Sequence, residues 1–136
     1  MSFKITLPYS PYRVPVDGSG ATIDLSKNSQ LRFGRNHQRI VRQGKRQMID
    51  DTLMLVRATL LESGLPEMRL PLFLDAVITT RTKQRKDDDG AIVGLYAARD
   101  AIAEALGIDD SDIRSGTIRF ETGTPEETEV HVYQSS

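Results

Sequence analysis

Alternation opens the chain. Phe3-Lys4-Ile5-Thr6-Leu7 switches between apolar and polar residues and predicts a first strand, stopped by Pro8. Residues 9–29 hold Pro11, Pro15, Gly18 and Gly20 among Ser, Thr and Asp, which predicts a loop or loose hairpin with a short strand at Ala21–Leu25. A loop of that length in a small domain is expected to be functional or mobile. The period then changes. A helix is expected from near Leu31, with Ile49, Leu53, Val56 and Leu60 on one face. Gly44 weakens its middle, and Gly64 and Pro66 end it.

Residues 68–83 return to period two. Leu70, Leu72, Leu74, Ala76 and Ile78 share a face of the expected central strand, with Pro71 near its start. Arg81, Lys83 and Arg85 extend that face as three cations. A second helix is predicted over 91–106, with Ile92, Leu95, Ile102 and Leu106 as its apolar stripe. Ala97, Ala98, Ala101, Ala103 and Ala105 allow a neighbour to approach it closely, while Gly107 and Ile108 supply its C-terminal stop. Finally Thr117–Glu121 and Glu129–Tyr133 alternate on either side of a Thr-Gly-Thr-Pro turn and read as an antiparallel hairpin. His131 falls opposite the apolar face of that hairpin and is expected to face solvent. The pattern as a whole is α+β: a small mixed sheet of about four to five strands with two main helices, in one domain spanning 1–136.

Composition narrows the chemistry. With no cysteine there is no disulfide, thiolate zinc site or thiol nucleophile. No leader pattern and no apolar run of membrane-spanning length are read, so the expected location is the cytoplasm, without membrane partners. The net charge of −1 conceals an asymmetry: residues 1–86 carry 15 Lys/Arg against 7 Asp/Glu, and residues 87–136 carry 3 against 12. A basic surface beside an acidic pocket suits a protein that holds a polyanion and a cation; mutual neutralisation of the two halves is the plainer alternative. Within the basic half, Arg35, Arg39, Arg42 and Arg46 recur at steps of four and three, one stripe on a helix. Such a stripe can track phosphates or simply be a solvated face.

The acidic half begins with Lys86-Asp87-Asp88-Asp89-Gly90, where the expected strand gives way to the second helix. Adjacent carboxylates repel unless something positive lies between them. On extended backbone Asp87 and Asp89 share a face, roughly 7 Å apart, and can grip one hard cation. Asp89 is also a natural helix N-cap, which accounts for one carboxylate but not three. Asp109, Asp110 and Asp112 form a second cluster.

From these motifs the chain resembles the RusA-type Holliday-junction resolvases. Ile5 to Pro8, the Pro/Tyr-rich loop and the basic helix match thinly; residues 72–133 match better. The family pattern is a strand, a basic run, Asp-x-Asp-Asn, a helix with an inward Lys, then a Gly and an Asp-Asp pair before terminal strands. Arg85-Lys86, Asp87-Asp88-Asp89, Asp100 and Leu106-Gly107-Ile108-Asp109-Asp110 stand in those places. Gly90 replaces the Asn, and the helical Lys falls at Tyr96, so Arg99 or Lys86 would have to neutralise charge instead.

The resemblance implies Mg²⁺-dependent hydrolysis of DNA phosphodiesters at four-way junctions and other branched DNA. Asp87, Asp89 and Asp110 would be catalytic, and Asp109 would join them as a metal ligand. Arg35, Arg39, Arg42, Arg46, Arg81, Lys83, Arg85 and Lys86 would contact DNA. About 18 helical residues between Asp89 and Asp109 would span roughly 27 Å, so a homodimer paired through the Ala-rich helix is expected to bring the two clusters together. The alternatives are a weak or inactive branched-DNA-binding protein of the same fold, and an unrelated α+β protein whose acidic face takes Ca²⁺ or a basic partner.

Overall fold

The computed structural model describes residues 1–16, 20–26, 34–65, 67–82 and 88–135, with only the backbone at 35, 36 and 88–90. In chain order the elements are β1 (Ser2–Leu7), β2 (Val14–Pro15), β3 (Thr22–Ile23), α1 (Arg35–Ser63), β4 (Leu72–Thr80), α2 (Asp88–Gly94), α3 (Tyr96–Leu106), a 3₁₀ turn (Asp110–Asp112), β5 (Ile113–Thr122) and β6 (Glu127–Gln134). The fold is α+β, with a mixed four-stranded sheet in the order β1-β6-β4-β5 and a small β2-β3 pair.

Strand β4 lies inside the sheet, between β6 and β5, and its sequence alternates without error. Leu72, Leu74, Ala76, Ile78 and Thr80 are buried, and the residues between them are half-exposed. The buried face joins Ile5, Val130, Val132 and Ile113 under Leu95, Ile102 and Leu106, so helices cover one face of the sheet. The strand is shorter than expected: Leu70 is exposed before the cis Leu70–Pro71 bond, and the strand stops at Thr80. Arg81 therefore does not extend a cationic strand face. Its N–H donates to the Glu126 carboxylate at 3.3 Å instead.

The expected terminal hairpin does not form. β5 runs parallel to β4 on one side, and β6 runs antiparallel to β4 on the other. Residues 123–126 carry the chain over the end of β4, where the Gly123 N–H donates to the Thr80 carbonyl at 2.8 Å. Both strands flanking β4 have the expected alternation, but alternation states which face is buried and not which strand is the neighbour.

Helix α1 buries Val41, Gly44, Met48, Thr52 and Val56, a stripe rotated from the one expected; Ile49, Leu53 and Leu60 lie at its margin. Gly44 is required rather than tolerated. A Cβ there would come within 2.9 Å of Ile23 Cγ2 and 3.0 Å of Leu25 Cδ2. The helix ends at Gly64 as expected; Pro66 lies outside the described residues. The described parts of the Pro-rich segment include the loose hairpin expected, β2 paired antiparallel with β3, and they pack as a layer. Tyr9, Val14, Ile23 and Leu25 are buried with Val41, Met48, Ala97 and Ala98 in a second core. The Tyr9 hydroxyl donates to Asp51 Oδ2 at 2.7 Å, and its backbone carbonyl accepts from the Thr128 hydroxyl at 2.8 Å.

The second helix is interrupted at Leu95 (φ −96°, ψ −1°), whose N–H is shared between the Ala91 and Ile92 carbonyls at 3.1 Å each. Gly107 and Ile108 close α3 as expected, with the Ile108 N–H donating to the Ala103 carbonyl at 3.0 Å. The alanine face is not available to a second copy. Ala97, Ala98, Ala101 and Ala103 are buried inside this chain, packed beneath α1 and against the sheet.

Candidate metal and nucleic-acid site

The acidic segments bracket α2 and α3. Asp87 lies outside the described residues, as do Lys83, Arg85 and Lys86. Helix α2 begins at Asp88, so Asp89 stands inside the first turn and not at the cap position expected of it. A carboxylate in a first turn is still favoured by the helix dipole.

At the other end the chain doubles back. After Gly107 the 3₁₀ turn folds against α3 and places Asp110 beside Arg99, about two turns before the helix ends. Arg99 Nη2 lies 3.7 Å from Asp100 Oδ1 and 3.8 Å from Asp110 Oδ2, and the guanidinium carbon sits 4.6 Å from the centre of the Tyr96 ring. Among the described residues, Arg99 Nε is buried without a hydrogen-bond partner. It borders a cleft of about 10 Å³ between α2, α3 and β5, lined among others by Tyr96, Ser115 and Ile118. That volume holds about one water. The two carboxylates stand half exposed, and burial together with the hydrogen-bonded Asp110 carboxyl raises Asp100 above the usual carboxylate range.

Asp109 is employed differently. It caps the 3₁₀ turn by accepting the Ser111 N–H at 2.9 Å, and that bond holds its carboxyl below the usual range. Among the described residues no three Asp, Glu or His side chains gather into a set able to hold a metal ion.

The basic stripe is present in part. Arg39, Arg42 and Arg46 are exposed along α1; Arg35 opens the helix, with its backbone alone described. Arg46 lies 3.6 Å from Asp50, one turn on, so it is not wholly free. Beside the stripe, His37, Gln38, Val41, Arg42 and Lys45 line a groove of about 230 Å³. Of the expected ligands, then, the fold brings Asp110 to Arg99 and leaves Asp109 to a cap.

Asp100, matched to the family pattern but given no role from the sequence, shares Arg99 with Asp110, a pairing that requires the reversal after Gly107. One further participant was not singled out from the sequence. Asp75, on the open sheet face, accepts from the Thr117 N–H at 2.8 Å and the Tyr133 hydroxyl at 3.1 Å. His131 is half-buried on that same face, in register with Asp75 and Lys4.

No family model and no curated protein matches the chain. Among solved structures it is similar to the crystal structure of 2C-methyl-D-erythritol 2,4-cyclodiphosphate synthase from Plasmodium vivax, at 11% identity over 96% of this chain and 91% of that one, with a TM-score of 0.30. A superposition that loose supports neither a shared fold nor a shared activity.

Proposed function

We propose that the protein is a Mg²⁺-dependent endonuclease of the RusA-like kind, acting as a homodimer on four-way junctions and other branched DNA. The observation that carries this reading is the position of Asp110. Beside Arg99 it forms a carboxylate pair with Asp100, about 15 Å along α2 and α3 from Asp89, a gap that a second subunit would bridge. Half-exposed neighbouring carboxylates are hard oxygen donors, the kind Mg²⁺ takes one or two of beside water and phosphate. Burial first, and the hydrogen-bonded Asp110 carboxyl after it, raise the Asp100 carboxyl, and a further positive charge there would offset the Asp110 contribution.

In this reading Asp87 and Asp89 of one subunit hold the cation together with Asp110 of the other, because about 15 Å of helix is too far for one Mg²⁺ to bridge within a chain. Asp109 is a lesser candidate because Ser111 engages it. Bound Mg²⁺ would polarise the scissile phosphate and stabilise the leaving oxygen. Arg99 takes the place of the family lysine: it balances Asp100 and Asp110, and the Tyr96 ring steadies its guanidinium. Arg39, Arg42 and Arg46, with Arg35, Arg81, Lys83, Arg85 and Lys86, bind the DNA backbone.

The test is cleavage of a synthetic four-way junction with Mg²⁺. Asp89→Asn and Asp110→Asn are expected to lose about a hundredfold or more in rate while still binding the junction without metal. Arg99→Ala should lose cleavage too; unchanged cleavage would remove Arg99 from the site. A second reading is a catalytically silent branched-DNA-binding protein. It is favoured by Arg99 already neutralising two carboxylates without any metal. Salt-dependent junction binding by the unaltered chain, with no cleavage in Mg²⁺ or Mn²⁺, would select it.

A further inference from the structure

Strand β5 lies at an edge of the sheet, and no described residue pairs with its outer side. The two edges differ. β1 has six residues, carries Lys4 and stops at Pro8, features that discourage pairing with another chain. β5 runs ten residues with neither Lys nor Pro, and Thr117, Arg119, Glu121 and Thr122 on it are exposed.

Its free hydrogen-bonding groups can be identified. The Thr117 N–H reaches the Asp75 side chain on β4, and the Gly123 N–H reaches the Thr80 carbonyl, also on β4. Amides alternate along a strand, so those of Arg119 and Glu121 also point to β4, while Ile118, Phe120 and Thr122 direct theirs outward. Ile118 and Phe120 are half-buried at the margin of the core, with apolar surface still uncovered.

We infer that this edge pairs with β5 of a second copy, antiparallel, about a two-fold axis through Phe120. In that register Phe120 meets the second copy's Phe120, and Ile118 meets Thr122; each pair exchanges both backbone hydrogen bonds through the outward groups. Arg119 falls opposite Glu121 of the other copy, and Glu121 opposite its Arg119. The edge is therefore complementary to itself in charge, and cross-strand pairs of opposite sign are stabilising. Within one copy Arg119 and Glu121 already lie 3.5 Å apart, so pairing completes a four-charge cluster of alternating sign.

A two-fold axis perpendicular to the sheet keeps like faces together. Two four-stranded sheets become one of eight, with the helices of both copies on one side. The Arg99 clefts, each bordered by Ile118 and Ser115 of β5, then flank the axis on that side. This surface is argued from the strand edge and stands whether or not the chain cuts DNA.

The full chain has no cysteine, so a single Phe120→Cys places the only thiols of a dimer face to face. Paired residues there have Cα atoms about 5.5 Å apart, within disulfide reach. Oxidation should give a covalent dimer on a non-reducing gel, whereas Arg114→Cys, remote from the axis, should not. Because Phe120 touches the core, sedimentation of charge variants with native circular dichroism serves as the second test. Arg119→Glu should weaken dimerisation about tenfold, and adding Glu121→Arg should restore it. An unaltered chain that stays monomeric at the highest concentration reached overturns the inference. So does a dimer that Phe120→Cys fails to cross-link and charge reversal fails to weaken.

Discussion

Gly44 and Asp100 show how the same residue types acquire different roles once neighbours arrive. In sequence Gly44 is only a weak point in a helix; in the fold it is the gap through which Ile23 and Leu25 reach α1. Gly→Ala in an exposed helix would gain about 1 kcal/mol. Here the added methyl meets Ile23 Cγ2 at 2.9 Å, and overpacking of about 1–3 kcal/mol prevails. Gly44→Ala should therefore lower stability in urea unfolding. Asp100 makes a pH prediction. Its carboxyl is raised by burial and by Asp110, so above the unfolded value the folded chain keeps a proton that the unfolded chain has released. The stability tied to that proton is present at low pH and is lost as pH rises through the raised value. Urea melts from about pH 4 upward should show this decline, and Asp100→Asn should flatten it.

At the scale of elements, the join between β4 and β5 is the least obvious from sequence. Their register shifts between Leu74 and Ala76, so Asp75 faces an extra residue at Gly116. The carboxylate lies against Gly116, where a Cβ would run into it, and bonds to the Thr117 N–H and the Tyr133 hydroxyl. An acid in a central strand thus replaces ladder hydrogen bonds that the bulge has removed. Gly116→Ala should push the carboxylate out of both bonds and lower stability by about 1–3 kcal/mol, while Gly123→Ala, with only an ordinary 3.7 Å contact to Thr79, should be milder. Differential scanning calorimetry of the two variants checks the order. The alternation of β5 and β6 was legible, and so was the glycine stop of α3. Their separation by β4 was not, because a pattern of period two is silent about partners.

Over the whole molecule, charge is divided between the exposed arginines of α1 and the acids around α2 and α3. If the stripe binds a polyanion, its contribution is electrostatic and independent of base sequence. Replacing Arg39, Arg42 and Arg46 with Ala should weaken junction binding and reduce the slope of log affinity against log salt by up to about 3. Fluorescence anisotropy across a salt series measures both, and an unchanged slope would make the stripe a solvated face.

Periodicity, caps and charge asymmetry are local or additive properties, so the chain alone determined an α+β domain with its central strand, long basic helix and two acidic segments. What it could not determine depends on contacts between residues far apart in the chain. Only the folded arrangement inserted β4 between β5 and β6, buried the alanine face beneath α1, and turned the Pro-rich segment into a packed layer. It also brought Asp110 back to Arg99, because a short reversal after Gly107 follows from packing against α3 and not from any repeat in the sequence.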